Sequence, residues 1–207
     1  VDFIRPIEAI VPGAQGRVLA VLVETTAELN LRTIARLAGV SQAQTSRVLP
    51  ELVELGVVER REVPPSSLFR LVPDHVASRS LLTLARASDA VRTEMARLAA
   101  SLPRAPVSVI VFGSFARGDA DAASDIDVVI VRPSSVDEDD DTWVDSLDEW
   151  RHAVRRASGN PVEVLEISVD DAASKLESRS QAWSDIRRDG IVVYGLGLDE
   201  LRAPRVG

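Results

Sequence analysis

Residues 112–129, FGSFARGDADAASDIDVV, set a glycine-serine pair at the end of one apolar run and two aspartates at the start of another. Along a strand, residues two apart share a face. Asp125 and Asp127 therefore point one way, and Ile126, Val128 and Ile130 the other. Two adjacent carboxylates repel each other unless a cation lies between them. With no cysteine and only His75 and His152 in the chain, that cation has to be held by oxygen, which suits Mg²⁺ or Mn²⁺. Gly113 and Ser114 follow the strand-like VSVIVF and open a short helix through FARG. Backbone N–H groups at such a start, with the serine hydroxyl, can hold a triphosphate. Glycine lets a phosphate approach the backbone without a side chain in the way.

The elements that must position these residues begin at 107, where strands and helices alternate. VSVIVF, DIDVVIVRP, NPVEVLEIS and IVVYG have strand character, with helices expected at about 142–157, 169–178 and 180–189. SSVDEDDDTW (134–143) reads as a solvated acidic loop, its acids exposed rather than metal-binding. Trp143, Trp150 and Trp183 fall in helical segments as packing residues, with Trp183 or Tyr194 as candidates to stack on a base. His152 belongs on a helix surface.

The chain before 107 is different. GAQGRVLAVLVETTAEL carries Val18, Leu19, Leu22 and Val23 at helical spacing. NLRTIARLAGV follows as a short helix with Ile34, Leu37 and Ala38 inward and Gly39 as its stop. Ser41 caps SQAQTSRVLPELVELG, with Val48, Leu52 and Leu55 on one stripe and Gly56 closing it. Pro50 should bend this helix or end its first half. VVERREV and SLFRLV then make two short strands around PPS, and 76–102 makes one long helix ending before Pro103. The expected architecture is α/β (α+β), in three parts. Residues 1–75 form a winged helix-turn-helix domain, 76–104 a linker helix, and 105–207 a domain of alternating strands and helices.

The order LRTIARLAGVSQAQTSRVLPELVELGVVER resembles the winged helix-turn-helix of bacterial transcription regulators. Gly39 permits the tight turn, and Ser41 starts the helix whose N-terminal residues would meet base edges in the major groove. Gln42, Gln44, Thr45, Ser46 and Arg47 have side chains that hydrogen-bond bases and phosphates. Arg60 and Arg61 in the first wing strand, with Arg70 in the second, could contact the DNA backbone. VFGSFARGDADAASDIDVVIV resembles the signature of the small, minimal type of polymerase-β-like nucleotidyltransferases. Its elements are an apolar residue, Gly-Ser, ten residues, and then Asp-x-Asp among apolar neighbours. This resemblance, over roughly 105–195, implies a mixed sheet with flanking helices and a third carboxylate on a later strand. NPVEVLEIS offers Glu163 and Glu166, of opposite parity, with Glu163 preferred. It also implies that Asp125, Asp127 and Glu163 hold Mg²⁺ or Mn²⁺, while Gly113 and Ser114 grip the phosphates of an NTP. Arg117 is either a further phosphate contact or an ion-pair partner of Asp119 or Asp121.

The formal net charge of −8 excludes a chain that binds nucleic acid over its whole surface, but 31–70 carries six arginines against four glutamates. No apolar run approaches the 18 or so residues of a membrane span, and the N-terminus lacks the pattern of a signal peptide. Together these features predict a cytoplasmic protein with DNA and an NTP as partners and a homodimer through the 76–102 helix. The activity that the resemblance to nucleotidyltransferases implies is transfer of a nucleoside monophosphate to a protein or nucleic-acid acceptor. The alternative is a transcription regulator or antitoxin-like protein whose second domain only binds nucleotide or mediates contacts.

Overall fold

The computed structural model describes residues 1–203 and divides into two compact units, Arg5–Ala87 and Ser88 onward, the second joined by residues 1–4. The first unit runs α1 (Pro6–Ile10), α2 (Ala14–Val23), β1 (Leu29–Asn30), α3 (Leu31–Leu37), α4 (Gln42–Glu54), β2 (Val58–Val63), β3 (Ser66–Leu71) and α5 (Val76–Ala85). The β2–β3 hairpin pairs in register from Val58↔Leu71 to Val63↔Ser66, and the two-residue β1 adds to β3 as a third strand. Val18, Leu19 and Leu22 of α2 pack with Ile34, Leu49, Leu52, Val58, Phe69 and Leu71 in one core. The two short helices α3 and α4 meet at Gly39, whose φ of +61° is a conformation that L side chains rarely adopt.

Several expectations change in this unit. Leu37 and Leu55 are 51% and 61% exposed, and Val48 is only half-buried. The inward stripe of α4 is Thr45, Leu49 and Leu52, which shares only Leu52 with the expected one. Thr45 counts as polar in a hydropathy pattern, which hid the start of the stripe. The helix also runs through Pro50 to Glu54. Proline removes one backbone hydrogen bond, and burial of Leu49 and Leu52 on either side of it holds the helix together.

The expected single helix over 76–102 is two, α5 and α6 (Ala87–Ala100), interrupted at Arg86 with φ −103° and ψ 31°. Arg86 leaves the helical region, so no 27-residue linker forms. The division between the units falls here too, giving α5 to the first and α6 to the second.

The second unit continues with β4 (Ser108–Phe112), α7 (Gly113–Arg117), β5 (Ile126–Arg132), α8 (Asp141–Ser158), β6 (Val162–Ser168), α9 (Ala172–Glu177), α10 (Gln181–Asp189), β7 (Ile191–Gly195) and α11 (Leu198–Arg202). The strands lie in the order β6-β5-β4-β7. β4 is antiparallel to β5 and β7, and β5 is parallel to β6, so the sheet is mixed. Ile110, Val129, Val131 and Ile167 face α9, α10 and α11, burying Leu176, Trp183, Ile186 and Leu201. The alternate residues Val109, Val111, Val128 and Ile130 are also at most 1% exposed, as a sheet covered on both faces requires. The three tryptophans are buried packing residues, so Trp183 is unavailable to stack on a base.

Candidate functional site

The antiparallel pairing of β4 with β5 brings the end of one strand beside the start of the other, with Phe112 opposite Asp127. The chain then turns at Gly113 with φ +68° and enters α7. A Cβ at position 113 would collide with Oδ2 of Asp127 and lie 3.2 Å from its Cγ. Two constraints therefore select glycine: the left-handed backbone and the carboxylate lying over the α-carbon. From sequence this glycine was assigned to phosphate approach; in the fold the Asp127 carboxylate takes the space a side chain would need. Ser114 is half-buried, and among the described residues its hydroxyl has no hydrogen-bond partner. Its carbonyl accepts from the Asp119 N–H at 2.8 Å, which closes the short helix.

Asp125 is exposed just before β5, Asp127 is half-buried within it, and Glu163 is exposed on β6 at the register position opposite Asp127. Glu166 lies on the other face, where its carboxylate accepts from Arg132 Nε at 2.7 Å and from the Trp143 indole at 3.0 Å. That carboxylate is committed to packing, so Glu163 is the acid beside the aspartates.

Burial pushes the Asp127 pKa up from its ordinary value, the negative charges of Asp125 and Glu163 push it further, and Arg117 opposes them. The three acids accept no hydrogen bond from a described residue. Among the described residues no group of three Asp, Glu or His side chains is gathered closely enough to hold a metal as it stands. The donor chemistry fits a hard divalent cation all the same. The donors are all carboxylate oxygens, and the field at Asp127 resists its negative charge until a cation offsets it.

Asn160, which sequence reasoning missed, holds the loop ahead of these acids. It is fully buried, and its Nδ2 donates to the carbonyls of Asp121 and Ser124 at 3.0 Å each. Asp121 accepts in turn from the Ser124 hydroxyl and the Ala123 N–H at 2.9 Å, and those bonds lower its pKa. The Ile126 N–H donates to the Pro161 carbonyl at 2.9 Å, anchoring the first residue of β5. Nothing in the local pattern of SGNPV marks this asparagine, because its partners lie 36 and 39 residues away.

Arg117 pairs with Asp119 at 3.4 Å and with Asp189 at 3.5 Å. The Asp119 partner was expected. Asp121 is instead occupied by its own loop, and Asp189 is shared with Arg188, whose hydrogen bond is the main reason its pKa falls. His152 is exposed on α8, with Nδ1 2.7 Å from the Asp148 carbonyl. Tyr194 is half-buried on β7.

In the first unit Ser41 caps α4, and Gln44 reaches back to it in a capping box. The Gln44 Oε1 accepts from the Ser41 N–H at 3.0 Å, which leaves only its amide nitrogen for another ligand. Thr45 is fully buried, and its hydroxyl donates to the Ser41 carbonyl at 3.0 Å. It cannot reach DNA. Gln42, Ser46 and Arg47 are exposed.

The wing arginines are already paired, Arg60 with Glu62 at 2.6 Å, Arg61 with Glu28, and Arg70 with Glu59. Arg32 and Arg36, one turn apart on α3, were overlooked. They border a cavity of about 600 Å³ with Ser41 and Gln42 at the start of α4, and among the described residues neither makes an ion pair.

A mixed sheet bearing Gly-Ser and Asp-x-Asp at adjoining strand ends, together with a helix-turn-helix and wing, defines a two-part protein, and comparison with known families assigns each part. Residues 90–186 match the family model of the nucleotidyltransferase domain, and residues 11–66 match the MarR family. The chain thus joins a MarR-type winged-helix domain to a nucleotidyltransferase domain. No curated protein matches it. Among solved structures it is similar to the MarR family transcriptional regulator SPO1453 from Silicibacter pomeroyi DSS-3. That protein is 28% identical over 46% of this chain and 66% of its own, just under two thirds of its length. The TM-score is 0.33, too low to establish a shared fold.

Proposed function

We propose that the second domain transfers a nucleoside monophosphate from an NTP to an acceptor hydroxyl and depends on Mg²⁺ or Mn²⁺. The carrying observation is Asp127, lying over Gly113 with Asp125 and Glu163 in its field, inside a nucleotidyltransferase domain. Asp125 and Asp127 would hold the cation, which when bound neutralises charge on the phosphates. The Gly113–Ser114 amides and the free Ser114 hydroxyl bind the outer phosphates. Glu163 would take the proton of the acceptor hydroxyl, whose oxygen bonds to the α-phosphorus as pyrophosphate leaves. Arg117, held by Asp119 and Asp189, acts on the phosphates through its charge.

The first domain binds DNA in this reading, with Gln42 and Arg47 toward base edges and Arg32 and Arg36 toward phosphates. Arg60 and Arg61 contribute only if their glutamates release them. A cytoplasmic location follows from these partners. No helix among the described residues is long and apolar enough to cross a membrane. Homodimer formation through the helices of 76–102 completes the proposal.

Incubation with α-labelled NTPs, Mg²⁺ and cell extract tests it. Label should reach an acceptor with wild-type protein and be lost in Asp125→Ala/Asp127→Ala. Absence of transfer with every NTP sinks the enzyme. The three acids are not gathered as they stand, which favours a second reading, a regulator that binds nucleotide without turnover. Aspartate-dependent NTP binding without label transfer would establish that instead.

A further inference from the structure

We propose that α8 and the start of β6 form an anion site beside Glu163, and that its occupant is the backbone phosphate of a nucleic-acid strand whose terminal hydroxyl is the acceptor. The inference rests on the nucleotidyl-transfer reading. Charge is segregated along α8, with Asp141, Asp145, Asp148 and Glu149 in its earlier turns and Arg151, His152, Arg155 and Arg156 in its last ones. All four of the latter are exposed. Arg151 and Arg155 are one turn apart and share a stripe. With His152 they line a cavity of about 350 Å³ whose other wall is Pro161, Val162 and Glu163.

Cations at a helix C-terminus complement its dipole, and that alone would favour arginines in these turns. It does not account for their shared cavity with an acid. Among the described residues Arg155 and Glu163 make no ion pair with each other or with anything else. Arg151 pairs only with Asp148, at 3.2 Å, in an exposed contact that a phosphate can displace.

Strand order supplies the rest. Gly113 follows β4, Asp127 lies on β5, Glu163 on β6, and the α8 cavity borders the start of β6, the edge strand. In strand order the phosphate-binding turn therefore comes at the β4 end of the row of acids and the arginine cavity at its β6 end. The NTP takes the first, leaving the second to the acceptor. Guanidinium forks match phosphate oxygens and stack on bases. The wall carries none of the Trp, Tyr or Phe anchors that dominate protein interfaces. In the step itself the strand's terminal oxygen bonds to the α-phosphorus and the bond from that phosphorus to the β-phosphate oxygen breaks. Pyrophosphate departs and the hydroxyl proton passes to Glu163.

The test uses the full chain with 5′-labelled single-stranded RNA and DNA oligonucleotides bearing free 3′ hydroxyls. Wild-type protein should extend one of them. Arg151→Gln/Arg155→Gln should raise KM for the oligonucleotide about tenfold or more while KM for the NTP stays put. Arg155→Lys should restore part of the loss. A variant that merely loosens α8 moves both KM values together, and that result overturns the proposal, as does a KM that moves for neither substrate. Transfer of label to a protein, with both oligonucleotides untouched, refutes the acceptor class and leaves the transferase reading standing. Transfer to nothing refutes both.

Discussion

The two domains treat their charges in opposite ways. On the wing of the first, Arg60, Arg61 and Arg70 are exposed and each has a glutamate. At the strand ends of the second, Asp125, Asp127 and Glu163 lie on or beside adjoining strands with no hydrogen-bond donor from a described residue. A paired surface charge is already satisfied and contributes little to stability. A like-charged group in a half-buried site costs free energy until a ligand arrives, so a fold keeps it where a ligand is expected. Residue type alone makes the wing arginines and the strand-end acids equally good candidates. Their partners separate them.

The largest effect should come from Gly113→Ala. A left-handed backbone costs an alanine about 1–2 kcal/mol, and the added methyl, driven into Asp127, costs about 1–3 kcal/mol more. Calorimetry should show the melting transition of the second unit falling by on the order of 10 °C. In an Asp127→Ala background the carboxylate is gone and only the backbone part should remain. A double-mutant cycle with no coupling between the two positions would show that Asp127 does not lie over this glycine.

On the first domain, Arg47→Ala, or Arg32→Ala with Arg36→Ala, should weaken DNA binding about tenfold at moderate salt. Each lost phosphate contact should flatten the plot of log affinity against log salt by about 0.9. Arg61→Ala should do less, because its guanidinium is already spent on Glu28, which raises the arginine pKa and lowers that of the glutamate. If Arg61→Ala proves the more damaging change, the pairing does not mark a structural charge, and the contrast between the domains fails with it.

How far these assignments could be read from sequence depends on the range of the interaction behind each. The strand pattern VSVIVF…DIDVVIV is local, and β4 and β5 form within the segments where strands are expected. The Ser41 cap and the αL glycine at 39 are local as well. The phase of α4 was not legible, because a buried threonine bonded back to Ser41 reads as polar until its surroundings are known. Glu163 and Glu166 could be separated by parity, but choosing between them needed the β5–β6 register and the partners Arg132 and Trp143. Asn160 was invisible for the same reason, since its work is done on carbonyls more than 30 residues away.

The smallest effect is a pH dependence, and its sign distinguishes the two kinds of charge. Asp127 has a pKa raised by burial and by its acidic neighbours. The folded protein therefore holds its proton to higher pH than the unfolded chain does. Stability from this group is greatest at acid pH and is lost as pH rises from the ordinary aspartate value through the raised one. A carboxylate satisfied by hydrogen bonds, such as Asp121, has a lowered pKa and contributes the opposite slope, losing stability as pH falls. Asp127→Asn should remove the first slope and, near neutral pH without divalent cations, raise the melting temperature by roughly 2 °C. Added Mg²⁺ should stabilise wild-type protein above that pH window and leave Asp127→Asn unmoved, because cation and proton compete for the same oxygens. If Mg²⁺ stabilised both proteins equally, it would be binding somewhere other than Asp127. The strain at the strand ends would then have no ligand to relieve it.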